Sequence, residues 1–203
     1  LGPVNAEQKQ NLASILSSGR HLLNMINDVL DVTQIESGMI KPVIEEFDLH
    51  DLLAEAENQV AAAIREKGLE LRSQLLRQRM RTDRRRLLQC LSNIVRNAVK
   101  YTDRGSVTVA ARLVSPPGET PGGEMVEIAV IDTGIGIGEE DQSRIFQPFF
   151  RIVTPQRTVV PGTGLGLFLT RKIAREILKG DIIVSSECGK GSRFSLRIPV
   201  RLP

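Results

Sequence analysis

The stretch N-I-V-R-N-A-V-K-Y-T, from Asn93 to Thr102, decides how the rest of the chain is read. Its two asparagines stand four apart, so on a helix they share one face, and Lys100 and Tyr101 lie one turn further on. An amide oxygen is a hard, neutral ligand suited to a Mg²⁺ that already holds waters and phosphate oxygens. A lysine beside it adds a positive point charge for phosphate. Taken alone, the pair reads more readily as two amides that cap or cross-link helix ends. Three motifs further along reverse that: D-T-G-I-G-I (Asp132 to Ile137), F-Q-P-F-F-R (Phe146 to Arg151) and G-T-G-L-G-L (Gly162 to Leu167).

In D-T-G-I-G-I the acid follows an apolar strand, and the glycines permit a tight turn. Asp132 could accept a hydrogen bond from an exocyclic amine such as that of adenine, with glycine backbone close against the ring; a plain strand-exit turn is the alternative. G-T-G-L-G-L opens a helix, so its backbone N–H groups and the positive helix end suit phosphate oxygens. It is not a Walker A loop, because no G-K-[ST] follows, nor a dinucleotide fingerprint, because no βαβ unit surrounds it. Between the last two motifs runs R-I-V-T-P-Q-R-T-V-V-P-G (Arg151 to Gly162), polar, proline-punctuated and without periodicity. Such a segment is expected to be a lid over bound nucleotide, with Arg151 and Arg157 as candidate phosphate contacts. Phe146, Phe149 and Phe150, half of the chain's six phenylalanines, stand at its hinge, for core packing or lid anchoring. Four motifs in this order predict an ATP site.

At 203 residues and 41% apolar composition, the chain accommodates one buried domain and an appendage. No apolar run approaches the ~20 residues that cross a membrane, and no signal peptide opens the sequence. Because it begins mid-pattern at Leu1, it is expected to be a piece of a longer protein whose anchor could lie upstream; these residues themselves predict no membrane contact and a cytoplasmic setting. Cys90 and Cys188 lack metal-ligand spacing, and Cys90 in L-L-Q-C-L reads as a small buried apolar residue. Residues 1–60 carry three Lys/Arg against ten Asp/Glu, whereas residues 61–100 carry eleven against three. The basic run from Arg77 to Arg86 lacks interleaved aromatics, so a solvated loop or a surface for an acidic partner is expected, and no nucleic acid.

The chain opens with a long helix, preceded by Pro3, in which Asn5 and Gln8 form a capping box and Gly38 ends the pattern. Leu12, Ile15, Leu22, Ile26 and Val29 form one apolar row, and Leu16, Leu23 and Leu30 a second. That stripe is too wide for a two-stranded seam and suits a helical bundle whose partner is either missing or supplied by another copy. Next come an edge strand over Ile40 to Phe47, interrupted by Pro42, and a helix capped by Asp48 and stopped by Gly68. A strand (Leu69 to Leu76) and a helix (Asp83 to Lys100) follow. Strands Ser106 to Leu113 and Met125 to Ile131 are joined by the turn S-P-P-G-E-T-P-G-G. A helix (Gly166 to Leu178) and strands Asp181 to Ser186 and Ser192 to Val200 complete an α/β (α+β) two-layer sandwich, with helices on one face of a mixed sheet.

With these residues in place, the four motifs resemble the N, G1, F and G2 boxes of sensor histidine kinases of two-component systems, whose catalytic domain has the Bergerat ATP-binding fold. G-K-G-S-R-F (Gly189 to Phe194) is similar to that family's last glycine box, and the opening helix resembles the second helix of its dimerisation and phosphotransfer domain. The resemblance divides the chain into residues 1–38, that helix, and residues 39–203, the ATP-binding domain. It implies that Asn97 holds Mg²⁺, that Asn93, Lys100 and Tyr101 contact nucleotide, and that Asp132 reads the adenine amine. Gly134 and Gly136 would shape the adenine pocket, Gly162, Gly164 and Gly166 would border the triphosphate, and Arg151 would lie near the phosphates. Ile137, Thr163, Leu165, Leu167 and Ser192 complete the implied nucleotide-binding set. Arg193 stands where many members have threonine, which puts a water-mediated adenine contact in doubt.

The implied partners are ATP, a response regulator receiver domain, and a second copy through the N-terminal helix. The family's phosphoacceptor histidine, in an H-E-x-R-x-P motif, has no counterpart; His21 and His50 read as ordinary structural or surface residues. The same fold serves ATP hydrolases such as DNA gyrase and large heat-shock chaperones, in which a glutamate one turn before the Mg²⁺ asparagine is the general base. Here that position is Asn93, whose amide cannot take the proton, so transfer is favoured over hydrolysis. A nucleotide-sensing or dimerisation module without transfer activity is the third reading.

Overall fold

The central strand, β5 (Met125–Asp132), is buried on both faces, and the other elements are arranged around it. It pairs antiparallel with β4 (Ser106–Val114) on one side and β7 (Gly191–Pro199) on the other. Parallel β2 (Glu70–Gln74) and antiparallel β6 (Asp181–Glu187) complete a five-stranded mixed sheet of order β2-β4-β5-β7-β6. The computed structural model describes residues 4–114, 124–152 and 162–202, without the side chains of Ser17 and His21. Pro3, the turn at residues 115–123, and most of the expected lid, Arg157 included, fall outside the described residues.

Strand alternation sends Val107, Val109, Val126, Ile128, Val130, Phe194, Leu196 and Ile198 to one buried face of the sheet. Helices cover that face: α2 (Leu49–Asn58), α4 (Arg84–Tyr101) and α6 (Gly166–Lys172), which continues as a π-turn over Ile173–Ile177. α4 is strongly amphipathic. Its Leu87, Leu91, Ile94 and Val95 are fully buried, each worth about 1.5–3 kcal/mol relative to exposure. Asp83 starts α4 by accepting the Arg86 N–H at 2.9 Å, and its second oxygen takes the Val43 N–H at 3.0 Å. One carboxylate thus fixes both the helix start and the incoming chain.

The first helix, α1 (Ala6–Glu36), has the expected capping box between Asn5 and Gln8. Its leucine, isoleucine and valine side chains from Leu12 to Leu30 are exposed, but near its end Ile35 enters the core. Asp31 accepts hydrogen bonds from Arg86 (3.0 Å) and Gln89 (2.8 Å), and Lys172 pairs with Glu36 at 3.2 Å.

Three local expectations need correction, and two short elements were not anticipated. The strand expected over Ile40 to Phe47 is confined to β1 (Glu45–Asp48), because Pro42 has no N–H to donate and the Val43 N–H is spent on Asp83. The single helix expected after Asp48 is two, α2 and α3 (Ala61–Lys67): the ladder shifts from an i−4 acceptor at Gln59 to an i−3 acceptor at Val60. Gly68 stops α3 at φ 65°, as its position suggested. The basic run is not a loop throughout, since β3 (Arg79–Thr82) pairs with β1 and buries Met80 and Thr82. A short α5 (Glu139–Gln142) and a 3₁₀ turn at Arg144–Phe146, neither anticipated, carry the chain from D-T-G-I-G-I to the phenylalanines.

Candidate functional site

The last two turns of α4 carry Asn93, Asn97, Lys100 and Tyr101 to the wall of a cavity of about 630 Å³. Helix C-terminal carbonyls at this end would otherwise lack partners. Lys67 supplies them, its Nζ donating to the carbonyls of Val99 (2.7 Å), Lys100 (3.1 Å) and Thr102 (3.0 Å). Sequence spacing gave no hint of that contact, because Lys67 lies on α3, far from α4 along the chain.

Across the cavity stand Gly162, Thr163, Gly164, Gly166 and Leu167, with Phe150 and Ile145 beside them. The Thr163 hydroxyl accepts the Leu165 N–H at 3.1 Å at the entry to α6, and Leu165 itself is buried. Gly164 has φ 73°, and a β-carbon there would run into the Phe149 backbone at 2.7 Å. Phe149 donates its N–H to the Gly164 carbonyl at 3.1 Å and is itself held at φ 63°. The F-Q-P-F-F-R and G-T-G-L-G-L motifs are therefore joined where the undescribed segment leaves and returns. Arg151 is exposed at its departure and does not line the cavity.

Asp132 lies beyond Tyr101, together with Gly134, Gly136, Ile137 and Ser192, none of which line the same cavity. A β-carbon at Gly134 would strike the Tyr101 carbonyl, so the turn rests directly on the end of α4. Asp132 is only 5% exposed. Burial pushes its pKa above the ordinary aspartate value, against the backbone N–H bonds it accepts from Gly134 and Ser192. Ser186 accepts the Ile137 N–H (2.8 Å), donates to the Gly191 carbonyl (2.8 Å) and lies 3.0 Å from the Ser192 hydroxyl, closing this corner. A buried acceptor beside two glycines suits an exocyclic amine.

Arg193 behaves otherwise than its position in G-K-G-S-R-F suggested. Register pairs Asp132 with Ser192, so alternation turns Arg193 to the opposite sheet face. There it binds Glu127 at 2.8 Å, alongside Arg112 and Arg197. Ser192, not Arg193, shares the sheet face of Asp132.

Asn93 donates from Nδ2 to the Thr170 hydroxyl at 2.9 Å. The other cavity wall is α1, through Asn24, Asn27, Asp28 and Asp31, and Thr163 reaches Asp28 at 3.3 Å. Neither contribution was foreseen. Thr170 sits inside an apolar helical row, and the α1 residues read as the polar face of a bundle helix. His50 lies in the first turn of α2, its N–H donating to Asp48 and its ring 3.4 Å from Asp51, away from the cavity. The His21 side chain is outside the described residues.

No group of three or more His, Cys, Asp or Glu side chains among the described residues could hold a metal alone. Asn93 and Asn97 offer neutral amide oxygens on the cavity wall, a donor set that fits a cation arriving with its own phosphate and water ligands. No described helix is long and apolar enough to cross a membrane.

Residues 82–202 match the family model described as histidine kinase-, DNA gyrase B-, and HSP90-like ATPase. The autoinducer 2 sensor kinase/phosphatase LuxQ of Vibrio cholerae is 38% identical over 98% of the chain, which spans 23% of that protein. The circadian input-output histidine kinase CikA of Synechococcus elongatus is 37% identical over 98% of the chain, which spans 26% of it. Among solved structures, full-length ShkA in complex with AMPPNP superimposes with a TM-score of 0.78 at 30% identity, covering 98% of this chain and 40% of that one. The chain therefore spans well under half the length of these relatives.

Proposed function

Because the chain belongs to the histidine kinase-, DNA gyrase B-, and HSP90-like ATPase family, and its relatives are sensor histidine kinases, we propose that it donates the ATP γ-phosphoryl group to a histidine. One observation carries the reading: Asn93, Asn97 and Lys100 on α4 face the glycines of the α6 N-terminus across one cavity, while the buried carboxylate of Asp132 stands beyond Tyr101. The adenine amine donates to Asp132, with Gly134, Gly136, Ile137 and Ser192 around the ring. The phosphates lie between α4 and Gly162 to Leu167. Residues 1–38 form the second helix of a dimerisation and phosphotransfer domain, and residues 39–203 form the ATP-binding domain.

Phosphoryl transfer leaves the protein little covalent work, so positioning and charge neutralisation supply most of the rate. Asn97 would hold Mg²⁺ together with phosphate oxygens and waters, and the ion would supply neutralisation of developing charge. Lys100 and Arg151 add cationic contacts to the phosphates. A histidine nitrogen then bonds the γ-phosphorus as the bond to the bridging oxygen breaks, and ADP leaves; the phosphoryl group passes on to an aspartate of a response regulator receiver domain. Asn93 argues against hydrolysis as the main outcome, because an amide accepts no proton from water. Two copies associate through the exposed apolar stripe of α1, and the domain works in the cytoplasm.

Titrating the 203-residue chain with ATP and Mg²⁺ tests the site. Binding that requires Mg²⁺ and is lost in Asn97→Ala supports it, and absence of binding at millimolar nucleotide overturns it. Sedimentation tests the stripe, a strict monomer with helical α1 counting against association.

A further inference from the structure

We propose that Thr170, buried on α6, is a positioning residue that fixes which end of the Asn93 amide faces the nucleotide; this rests on the ATP-site reading above. The hydroxyl has one proton, and it is committed: Thr170 Oγ1 donates to the Gly166 carbonyl at 2.9 Å. Towards Asn93 it can then only accept, which it does from Nδ2 at 2.9 Å. The carbonyl of Gly166, the hydroxyl and the amide form a directed chain, and its direction leaves Asn93 Oδ1 as the free end. That oxygen borders Gly166, where a β-carbon would stand 2.5 Å from it. The bare α-carbon of the last glycine in G-T-G-L-G-L therefore leaves room for the Asn93 oxygen at the phosphate end of the cavity.

The orientation matters because the two ends of an amide have opposite polarity. An outward oxygen would accept from a water carried by a bound Mg²⁺, whereas an outward NH₂ would point donor protons at it. Thr170 has no other polar duty among the described residues at its hydroxyl, and it is 2% exposed, so solvent cannot replace it. Cys90 Sγ donates to the Thr170 backbone carbonyl at 3.7 Å, not to the hydroxyl. The contact also ties α4 to α6, the two walls that meet the phosphates.

The test is a double-mutant cycle on the full chain, read as affinity for a non-hydrolysable ATP analogue with Mg²⁺. Thr170→Val removes the acceptor and is expected to weaken binding about tenfold, the scale of one misdirected polar contact. Thr170→Ser keeps the hydroxyl and should bind within about twofold of the parent. In an Asn93→Ala background Thr170→Val should have no further effect, because its action runs through that amide. Side-chain amide NMR gives a readout independent of nucleotide: the Asn93 NH₂ signals should shift in Thr170→Val and remain in Thr170→Ser. If Thr170→Val does not fold, Thr170→Ala takes its place in the cycle. Additive losses, or a folded Thr170→Val that binds like the parent, overturn the proposal. A parent that binds no nucleotide while its Asn93 signals still respond to Thr170→Val overturns the ATP-site reading and the proposed role with it, leaving only a structural contact.

Discussion

Asp132→Asn separates recognition of the base from stability of the fold. In the parent, Oδ1 is occupied by the Gly134 N–H at 2.9 Å. An asparagine keeps its oxygen there and turns NH₂ towards the adenine amine, replacing an acceptor with a donor. A hydrogen bond to a charged group is worth about 1.5–3 kcal/mol, which at about 1.4 kcal/mol per decade is roughly a 10–150-fold loss in ATP affinity. ITP, with a carbonyl in place of the amine, should lose less or gain, so the ATP-to-ITP preference narrows.

Stability should move the other way. Burial raises the Asp132 pKa above its unfolded value, so between the two the folded protein holds a proton that the unfolded chain has released. Stability therefore falls as pH rises through that window. At neutral pH the empty protein carries a desolvated carboxylate, and Asp132→Asn is expected to melt no lower than the parent. ATP affinity of the parent, measured relative to the variant to cancel phosphate titration, should rise with pH through the same window. Isothermal titration with ATP and ITP, beside thermal melts, decides it. Unchanged ATP affinity, or a loss that appears only with unfolding, refutes the adenine assignment.

Glu127 gives the opposite pH sign. Burial pushes its pKa up, but Arg197, Arg193 and Arg112 outweigh it and hold the carboxyl below the ordinary value. Its contribution is present above the unfolded pKa and lost as pH falls through the lowered folded one, so Glu127→Gln should cost about 1–3 kcal/mol at neutral pH and progressively less in acid, read by urea unfolding. The two thiols should differ sharply. Burial pushes Cys90 far up from the ordinary thiol value while Cys188 is exposed, so a chromogenic disulfide should titrate one thiol in the folded chain and two in denaturant.

Most of the sheet was legible because its strands alternate and its glycines mark their ends. β3 was hidden because only Met80 and Thr82 turn inward between arginines, too short an alternation to stand out from a basic loop. The break at Gln59–Val60 leaves the apolar spacing of α2 and α3 undisturbed, so no periodicity announces it. In the site, the motifs and their resemblance singled out candidate residues, but not the side chains that pack against them. Lys67, Thr170 and Asp31 reach the site from other elements, and only the packing of α1, α3 and α6 around α4 brings them there. Arg193 shows the reverse limit: motif position alone did not tell that strand alternation turns it away from Asp132 and onto Glu127.

The central claim is that this domain is the donor half of a phosphotransfer reaction. The direct measurement mixes the chain, Mg²⁺ and γ-labelled ATP with a separate helical domain carrying a phosphoacceptor histidine. The account predicts acid-labile label on that histidine, abolished by Asn97→Ala, with little free phosphate. Rapid phosphate release with no label on protein would contradict it and make the chain a hydrolase.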